Sequence, residues 1–413
     1  MEYENKLKNG NVNKFERVGF NSGKVYDRGY SDVGHPTDEL VVYKFNDKFD
    51  IKSLRDNNPN IPYFFQLHQL LPLDTNFSNE KEIFNPNLDK VSVIKAEGLE
   101  KELFDGEANI YLADTSNRGG TNSLKDPDAI IMMYRLKELG YDSFSLATTG
   151  DCGASVCHIG SRLGMNVNLF VPDDCIERWD LLYNEIKEKG LVDESKIQIY
   201  NKGKNMHQAF DASIEFAHQN NLPHDYFFNN QLRIEGSKTI HLEVMEQLGK
   251  EPDFYFQALG SGTGLFAMYK AVSDLGLKVP QLVGVQPSGC SPMVLANKGK
   301  ETQNLADTYV MGIGLPNLGP AFPYLRDLGA KFIGVHEGGK KSEKEAIIRD
   351  IDLLKANGIE DPGLEASLTV TGLREIKDEI IQKAKQEKRM IDIVLGITGK
   401  MREGDRKEIY NDR

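Results

Sequence analysis

The stretch "FYFQALGSGTGLFAMYKA", Phe254–Ala271, decides the fold class of this 413-residue chain. It begins with a short aromatic and apolar run, typical of a strand buried on both faces, and passes through three glycines into an amphipathic run. A buried strand that continues through a glycine turn into a helix indicates a parallel sheet, because a parallel crossover needs an intervening helix. The segment therefore predicts a strand, a loop and a helix of an α/β fold.

The glycine turn itself is a candidate phosphate-binding loop. Its residues are Gly260, Ser261, Gly262, Thr263 and Gly264. Glycines let the backbone approach an anion closely, and the following helix N-terminus presents unpaired N–H groups and a partial positive charge. The loop lacks the Gly-Lys-Ser/Thr ending of a P-loop, and many strand-to-helix turns contain glycine for steric reasons alone.

The alternation of strands and helices continues along most of the chain from about residue 90. Strand-like runs are "VSVIKA", "NIYLAD", "SFSLAT", "NVNLFVP", "KIQIYN", "DYFFNN" and "QLVGVQP", with helix-like runs between most of them. We predict an α/β fold with two open, mainly parallel sheet domains and helices on both faces. Residues 1–60 show no sustained period and are predicted to form an N-terminal arm. A large domain is expected from residues 61–125 plus 236–413, and a small inserted domain from residues 126–235.

Composition narrows the class of function. Hydrophobic residues make up 39% and charged residues 27%, as in globular proteins, and the formal net charge of -12 argues against nucleic acid as the main partner. The N-terminus lacks the apolar stretch of a signal peptide and no run of about 18 apolar residues occurs, so we expect a cytoplasmic protein without a membrane partner. The four cysteines lack CxxC spacing, which predicts reduced thiols and no metal site.

Two further turns offer polar groups at strand ends. In "LATTGDCGAS", Leu146–Ser155, the hydroxyls of Thr148 and Thr149 and the N–H groups near Cys152 and Gly153 could bind a carboxylate. A plain helix cap by Thr149 or Asp151 is the equally acceptable alternative. In "VLGITGK", Val394–Lys400, the strand end offers Thr398 and Gly399.

One lysine, Lys125, has an unusual position in "RGGTNSLKDPDA", Arg118–Ala129. It lies at a predicted junction between a loop and a helix, where the helix dipole disfavours an ammonium charge and favours the neutral amine that a Schiff-base lysine needs. The alternative is a solvated lysine near Asp126. The order along the chain favours the functional interpretation: a lysine, a Thr/Gly turn, a phosphate-binding loop and a hydroxyl at a strand end.

This order resembles the fold type II pyridoxal-phosphate enzymes, the tryptophan synthase β-like family, and within it the threonine synthase and cysteate synthase group. The resemblance extends from about Leu70 to about Gly404. It implies pyridoxal 5'-phosphate as cofactor, with "SLKD" in the place of the family's Ser-Phe-Lys-Asp segment, so that Lys125 would be the cofactor lysine. The resemblance places Gly260–Gly264 at the cofactor phosphate and Thr398 at the pyridine nitrogen.

The same resemblance implies the residues that contact the substrate. "TTGDCGA" matches the family's Ser/Thr-Gly-Asn loop, and "NNQLRIEGSKT" is similar to a threonine synthase segment that would bring Asn230 and Arg233 to the substrate phosphate. "PDFYFQALGSGTG" is very similar to cysteate synthases, which join O-phosphoserine with sulfite. The partner implied is a small phosphorylated amino acid, and the family's members are commonly dimers, so a homodimer is expected.

Two departures from the family bear on the activity. Asp151 stands where the family has an asparagine that donates to the cofactor's phenolic oxygen, and an ionised carboxylate would repel a phenolate. The family's Glu-Pro-Ala-Ser run is changed to "DPGLEAS", residues 361–367. We predict a lyase or transferase that replaces phosphate on an O-phospho-amino acid, as in cysteate synthase. The alternatives are threonine synthase activity on O-phosphohomoserine, elimination alone as in ammonia-lyases, and a metabolite-binding protein without catalysis.

Overall fold

The computed structural model describes residues 15–26, 39–45, 47, 49–74, 90–302 and 306–410. The strands in chain order are β1 Phe15–Gly19, β2 Val25–Tyr26, β3 Val41–Phe45, β4 Ser92–Lys95, β5 Ala108–Asp114, β6 Ser143–Ala147, β7 Asn166–Val171, β8 Ile197–Asn201, β9 Phe254–Ala258, β10 Gln281–Pro287, β11 Lys331–Val335 and β12 Ile391–Ile397. Short 3₁₀ helices, among them Tyr63–Leu70 and Phe227–Asn229, lie between them.

The α-helices in chain order are α1 Glu97–Leu103, α2 Lys125–Glu138, α3 Asp151–Arg162, α4 Ile176–Glu188, α5 Met206–Asn220, α6 Gln231–Leu248, α7 Thr263–Asp274, α8 Pro292–Asn297, α9 Phe322–Asp327, α10 Lys340–Ala356, α11 Leu364–Glu375, α12 Lys377–Glu387 and α13 Glu403–Tyr410. Within the described ranges, no helix combines the length and the apolar character that a membrane crossing requires.

A six-stranded sheet forms the larger layer, in the order β11-β10-β9-β12-β5-β4. All neighbouring strands are parallel except β4, which runs antiparallel to β5 at the edge. The strand predicted from the opening stretch is β9, and it lies beside β12, with every residue of both strands buried. Because β9, β12 and β5 are adjacent and parallel, the loops that follow them leave the sheet at the same edge.

Apolar side chains cover both faces of this sheet. Along β12, Val394 belongs to one buried cluster, together with side chains of α2, α6 and α7. Its neighbours Ile393 and Leu395 belong to a second cluster, together with side chains of α10, α11 and α12. Successive residues of a strand point to opposite faces, so this alternation places helices on both sides of the sheet. The predicted α/β fold is confirmed.

A second parallel sheet has the order β6-β7-β8, and His224 adds an isolated parallel bridge to Ser145 beside β6. Its strands and the helices α3, α4 and α5 all come from the segment between residues 126 and 235. That segment was predicted as an inserted domain, and the domain boundaries themselves stay a prediction.

The run "DYFFNN", predicted as a strand, is not one. Phe227–Asn229 forms a 3₁₀ turn, and Phe227 has a positive φ of 54°. The cause is Asp225, whose buried side chain accepts hydrogen bonds from the Phe227 N–H at 3.1 Å and from the Asn230 amide at 3.0 Å. These local bonds to the side chain replace the ladder bonds that a strand would make.

The predicted N-terminal arm contains a small antiparallel sheet with the order β2-β1-β3. Phe20, directly after β1, packs edge-on against Phe266 of α7 and against Tyr324 of α9. The Tyr324 hydroxyl also accepts a hydrogen bond from the Leu40 N–H at 2.8 Å. The described parts of residues 1–60 are therefore attached to the larger layer through aromatic side chains.

Candidate active site

The loops that follow β5 and β12 are hydrogen-bonded to each other. The Leu124 N–H donates to the Thr398 carbonyl at 3.2 Å, and the Lys400 N–H donates to the Asn122 carbonyl at 3.2 Å. Ser123 and Gly399 form an isolated bridge between these bonds. Lys125 and Thr398, predicted from segments far apart in sequence, are thus brought to one place.

A small cavity joins this place to the glycine loop. Leu124, Thr398 and Gly264 line it, together with His241 of α6 and Gln257 of β9. Burial lowers the pKa of His241 to about 4, so its ring is neutral near pH 7. Its Nε2–H donates to the Gly264 carbonyl at 2.9 Å, and its buried Nδ1 makes no hydrogen bond. The cavity therefore brings three predicted site segments together and contains an unused acceptor.

The glycine loop has the conformation that its sequence requires. Gly262 has a φ of +88°, and a Cβ placed on it would lie 2.8 Å from the Cβ of Ala321. No side chain caps α7, which begins at Thr263, and the hydroxyls of Ser261 and Thr263 are 2.9 Å apart. A helix N-terminus without a side-chain cap suits a phosphate group.

Lys125 is the first residue of α2, as predicted, but its partner is Asp128 rather than Asp126. Its Nζ lies 3.8 Å from Asp128 Oδ2, and the Lys125 side chain is 27% exposed. Asp126 instead accepts hydrogen bonds from the N–H and hydroxyl of Thr121, at 2.9 and 2.6 Å. The lysine side chain is thus partly exposed, and it is not a solvated partner of Asp126.

Asp128 was missed in the sequence, although the spacing of three in "KDPD" is a usable signal on a helix. Ser237 Oγ donates to its Oδ1 at 2.5 Å, and its Oδ2 makes no hydrogen bond. Burial raises the pKa of Asp128, and the nearby charge of Lys125 acts in the opposite direction. The first turn of α2 therefore presents a buried carboxylate towards Lys125.

The turn before α3 is capped by Thr148, not by Thr149 or Asp151. Thr148 Oγ1 accepts hydrogen bonds from the N–H groups of Gly150 at 3.2 Å and Gly153 at 2.9 Å. A Cβ on Gly153 would lie 2.5 Å from the Thr148 methyl carbon, so the approach requires glycine there. Thr149 lies half-buried beside this cap. Of the predicted carboxylate-binding groups, Thr148 and the Gly153 N–H are already bonded to each other.

Asp151 forms an ion pair with Arg402, which sequence reasoning missed. Arg402 Nη2 is 2.8 Å from Asp151 Oδ1, Arg402 Nε donates to the same oxygen at 3.0 Å, and Nη2 also donates to the Thr121 carbonyl at 2.9 Å. The Asp151 carboxylate thus has its own cation, and that cation also binds the loop that leads to Lys125.

Arg233 is buried and paired. Its Nε donates to Asp225 Oδ1 at 3.0 Å, and its Nη2 contacts Asp225 Oδ2 and the sulfur of Cys152. Asn230 caps α6 by accepting from the Leu232 N–H at 3.1 Å, while its amide donates to Asp225. Cys152, Asn230 and Arg233 are therefore neighbours, and the charge of Arg233 is already opposed by Asp225.

The altered run 361–367 contributes Glu365, which no sequence argument had selected. A Cβ on Gly312 would lie 2.1 Å from Glu365 Oε1, and a Cβ on Gly363 would lie 3.0 Å from its Oε2. Burial and then the charge of Asp405 raise the pKa of Glu365 to about 7, against the opposing effect of Arg178. Gly363 donates its N–H to the Gly399 carbonyl at 2.8 Å, so this carboxyl group lies near the Thr398 loop.

Comparison with known families identifies the group. The sequence pattern described as pyridoxal-phosphate dependent enzyme matches residues 88–342, more than half of the chain. The chain belongs to this family of pyridoxal-phosphate dependent enzymes. The cofactor prediction is confirmed, and the uncapped N-terminus of α7 and the cavity lined by Thr398 and by Leu124, the neighbour of Lys125, fit a phosphorylated pyridine aldehyde.

The relatives agree with the predicted group. A cysteate synthase from Methanosarcina barkeri is 28% identical over 221 residues, which cover 51% of this chain and 51% of that protein. A threonine synthase from Methanosarcina acetivorans is 25% identical over 355 residues, which cover 82% of this chain and 80% of that protein. The chain thus spans about half the length of the cysteate synthase that it matches.

Solved structures support the fold. Diaminopropionate ammonia lyase from Escherichia coli matches with a TM-score of 0.63 at 16% identity, covering 89% of this chain and 97% of that one. Threonine deaminase isoform 2 from Solanum lycopersicum matches with a TM-score of 0.63 at 18% identity, covering 79% and 84%. At these identities the similarity shows the fold type alone.

Proposed function

We propose that this pyridoxal-phosphate dependent enzyme replaces the phosphate of an O-phospho-amino acid, and that its reaction is the cysteate synthase type, O-phosphoserine plus sulfite. The observation that carries the chemistry is that Leu124, next to Lys125, lines one cavity together with Thr398 and with Gly264 of the glycine loop, beyond the carboxyl ends of β5, β12 and β9. The similarity to cysteate synthases supports the substrate class.

The residues have distinct roles in this proposal. Lys125 would hold the cofactor covalently, the N–H groups and hydroxyls of the loop from Gly260 to Gly264 would hold its phosphate, and Thr398 would hydrogen-bond to its ring nitrogen. The bound cofactor supplies an electron sink for the pair released when the substrate Cα–H bond breaks. The Lys125 amine, once free, accepts that proton. A hydroxyl at the ring nitrogen leaves it without a full positive charge, which favours loss of a β-substituent.

The substrate carboxylate is expected to contact Thr149 and the N–H groups at the start of α3, near Cys152. Thr148 keeps the turn rigid through its cap and has a supporting role. Arg233, with Asn230 beside it, remains the candidate for the substrate phosphate. To bind a dianion, Arg233 must share its charge with Asp225, so the affinity for phosphate is set by this competition.

That competition favours one second candidate. Arg178, Arg233 and Arg402 each pair with a carboxylate of the chain, so a substrate without a phosphate group would disturb none of these pairs. Elimination alone, as in an ammonia-lyase, is therefore the second candidate. Threonine synthase activity remains the third, and a homodimer is the proposed assembly.

The test is a substrate screen with the purified chain loaded with pyridoxal phosphate. We expect phosphate release from O-phosphoserine that depends on the enzyme, and cysteate formation when sulfite is added. O-phosphohomoserine tests the threonine synthase alternative, and 2,3-diaminopropionate with detection of ammonia tests elimination alone. Lys125→Ala is the control and should release nothing. A loaded protein that turns over none of these substrates would contradict the proposal and favour a metabolite-binding homologue.

A further inference from the structure

We propose that Asp128 is a positioning residue for Lys125: its buried carboxylate holds the lysine side chain and stabilises the ammonium form of its amine. The inference rests on the role of Lys125 in the proposed function. It does not depend on which substrate the enzyme uses.

The first support is geometric. Lys125 and Asp128 are three residues apart on α2, so they lie on the same face of its first turn, with Nζ and Oδ2 3.8 Å apart. The Asp128 side chain is only 3% exposed, and its Oδ2 makes no hydrogen bond. A buried carboxylate oxygen without another partner is costly unless a cation or a donor approaches it. Lys125 is the cationic residue of this helix turn.

The second support is that α6 fixes Asp128 in place. A Cβ on Gly236 would lie 2.5 Å from the Asp128 Cα and 2.4 Å from the Pro127 carbonyl oxygen, so α6 and the start of α2 are in close contact. The next residue, Ser237, donates its hydroxyl to Asp128 Oδ1. Only Oδ2 is left to face Lys125. The carboxylate is therefore held from one side and offered to the lysine from the other.

The surrounding charges leave this pairing in place. Arg233 and Asp225 act on Asp128 electrostatically with opposite signs, and they are paired with each other. Cys152, on α3, contacts Arg233. Among the described residues, Lys125 is thus the cation beside Asp128 that has no other carboxylate within hydrogen-bond distance.

The consequence concerns the proton that Lys125 carries. When the Lys125 amine removes the substrate Cα proton, the C–H bond breaks, its electron pair goes to the electron sink that the bound cofactor would supply, and Nζ gains the proton and a positive charge. Asp128 Oδ2 lies where that charge appears and stabilises it without moving. The dipole of α2 disfavours an ammonium group at the helix N-terminus, and the Asp128 carboxylate offsets this effect on Lys125.

The experiment measures how fast the Lys125 amine reacts in the full chain after removal of the cofactor. An acylating reagent that attacks only neutral amines is applied near pH 7.5, and modification of Lys125 is followed by mass spectrometry. Asp128→Asn keeps an acceptor for Ser237 but removes the charge, and we expect Lys125 to react about three to ten times faster. Asp180→Asn, which removes an exposed carboxylate from α4, should leave the rate unchanged.

A second measurement and a second variant protect the inference against misfolding. Binding of added pyridoxal phosphate, followed by its visible absorbance, should be faster in Asp128→Asn because more of the amine is neutral. Asp128→Ser removes the same charge with a smaller side chain and carries the same expectation. Equal rates in wild type and in a folded Asp128 variant would overturn the role of Asp128. Altered rates without turnover of any tested substrate would leave that role intact and contradict the proposed function.

Discussion

Glu365 makes the folding stability of this protein depend on pH. Its pKa is raised from 4.5 to about 7, first by burial and then by the charge of Asp405. The folded protein therefore binds this proton more tightly than the unfolded chain does. The resulting stability is complete below the unfolded pKa, decreases as the pH rises from about 4.5 to about 7, and stays lost above that range. Each pKa unit corresponds to about 1.4 kcal/mol, so the full change is about 3 kcal/mol.

The variant Glu365→Gln removes this titration while keeping the size of the side chain. The quantity of interest is the free energy of unfolding of the variant minus that of wild type, both measured by urea denaturation. We expect this difference to be about 3 kcal/mol larger near pH 8 than near pH 4. Taking the difference at each pH removes the contribution of groups that both proteins share. Glu375→Gln, at an exposed position of the same helix α11, is the matched control and should show no such step.

A flat difference between wild type and Glu365→Gln across this range would refute the reasoning. It would mean that Arg178 stabilises the carboxylate as strongly as burial and Asp405 destabilise it. A step of the opposite sign would mean that an ion pair dominates at Glu365. Either result would also remove the basis for a protonated carboxyl group beside the Gly399 segment at neutral pH.

Two further predictions concern the loops around the cavity. Arg402→Met leaves Asp151 without its cation and the Thr121 carbonyl without this donor. Because the Asp151 side chain is 37% exposed, we expect the free energy of unfolding, measured by urea denaturation, to fall by about 1 to 2 kcal/mol. An unchanged value would mean that water replaces the guanidinium fully. Gly262→Ala puts a side chain on a residue with a φ of +88° and into contact with Ala321. We therefore expect the variant to lose more pyridoxal phosphate on dialysis than wild type does, as measured by visible absorbance. Retention equal to wild type would contradict a phosphate site at this loop.

The fold was predictable where its signals are local. The buried run of β9, the glycine turn after it and the amphipathic α7 occupy one continuous stretch, and each obeys its own periodicity. The strands β1 and β3 were not predicted, because two five-residue strands that pair with each other across an intervening segment give no short-range signal of hairpin type. "DYFFNN" shows the opposite failure, since its aromatic residues favour a strand but the Asp225 side chain bonds to the following backbone.

The candidate site divides in the same way. Thr398 and the glycine loop were selected as polar groups at strand ends and Lys125 as a lysine between a loop and a helix, and the sheet order explains why the segments that carry them lie close together. Arg402 could not be found from the sequence, because it is separated from Asp151 by 251 residues and nothing local marks the pair. Asp128 lay within reach, but its importance depends on Gly236 and Ser237 of a helix more than one hundred residues away.

The carboxylates of the site bear directly on which substrate it accepts. From the sequence, Asp151 is a carboxylate that would repel a phenolate if ionised, and Arg233 is a candidate for the substrate phosphate. In the structure both are members of ion pairs, with Arg402 and Asp225. Under the proposed function, a phosphorylated substrate has to compete with Asp225 for Arg233, whereas an uncharged or cationic leaving group does not. Discrimination between phosphate replacement and simple elimination is therefore expected to depend on Asp225, and Asp225→Asn should shift it towards phosphorylated substrates if the altered chain still folds with Arg233 in the site.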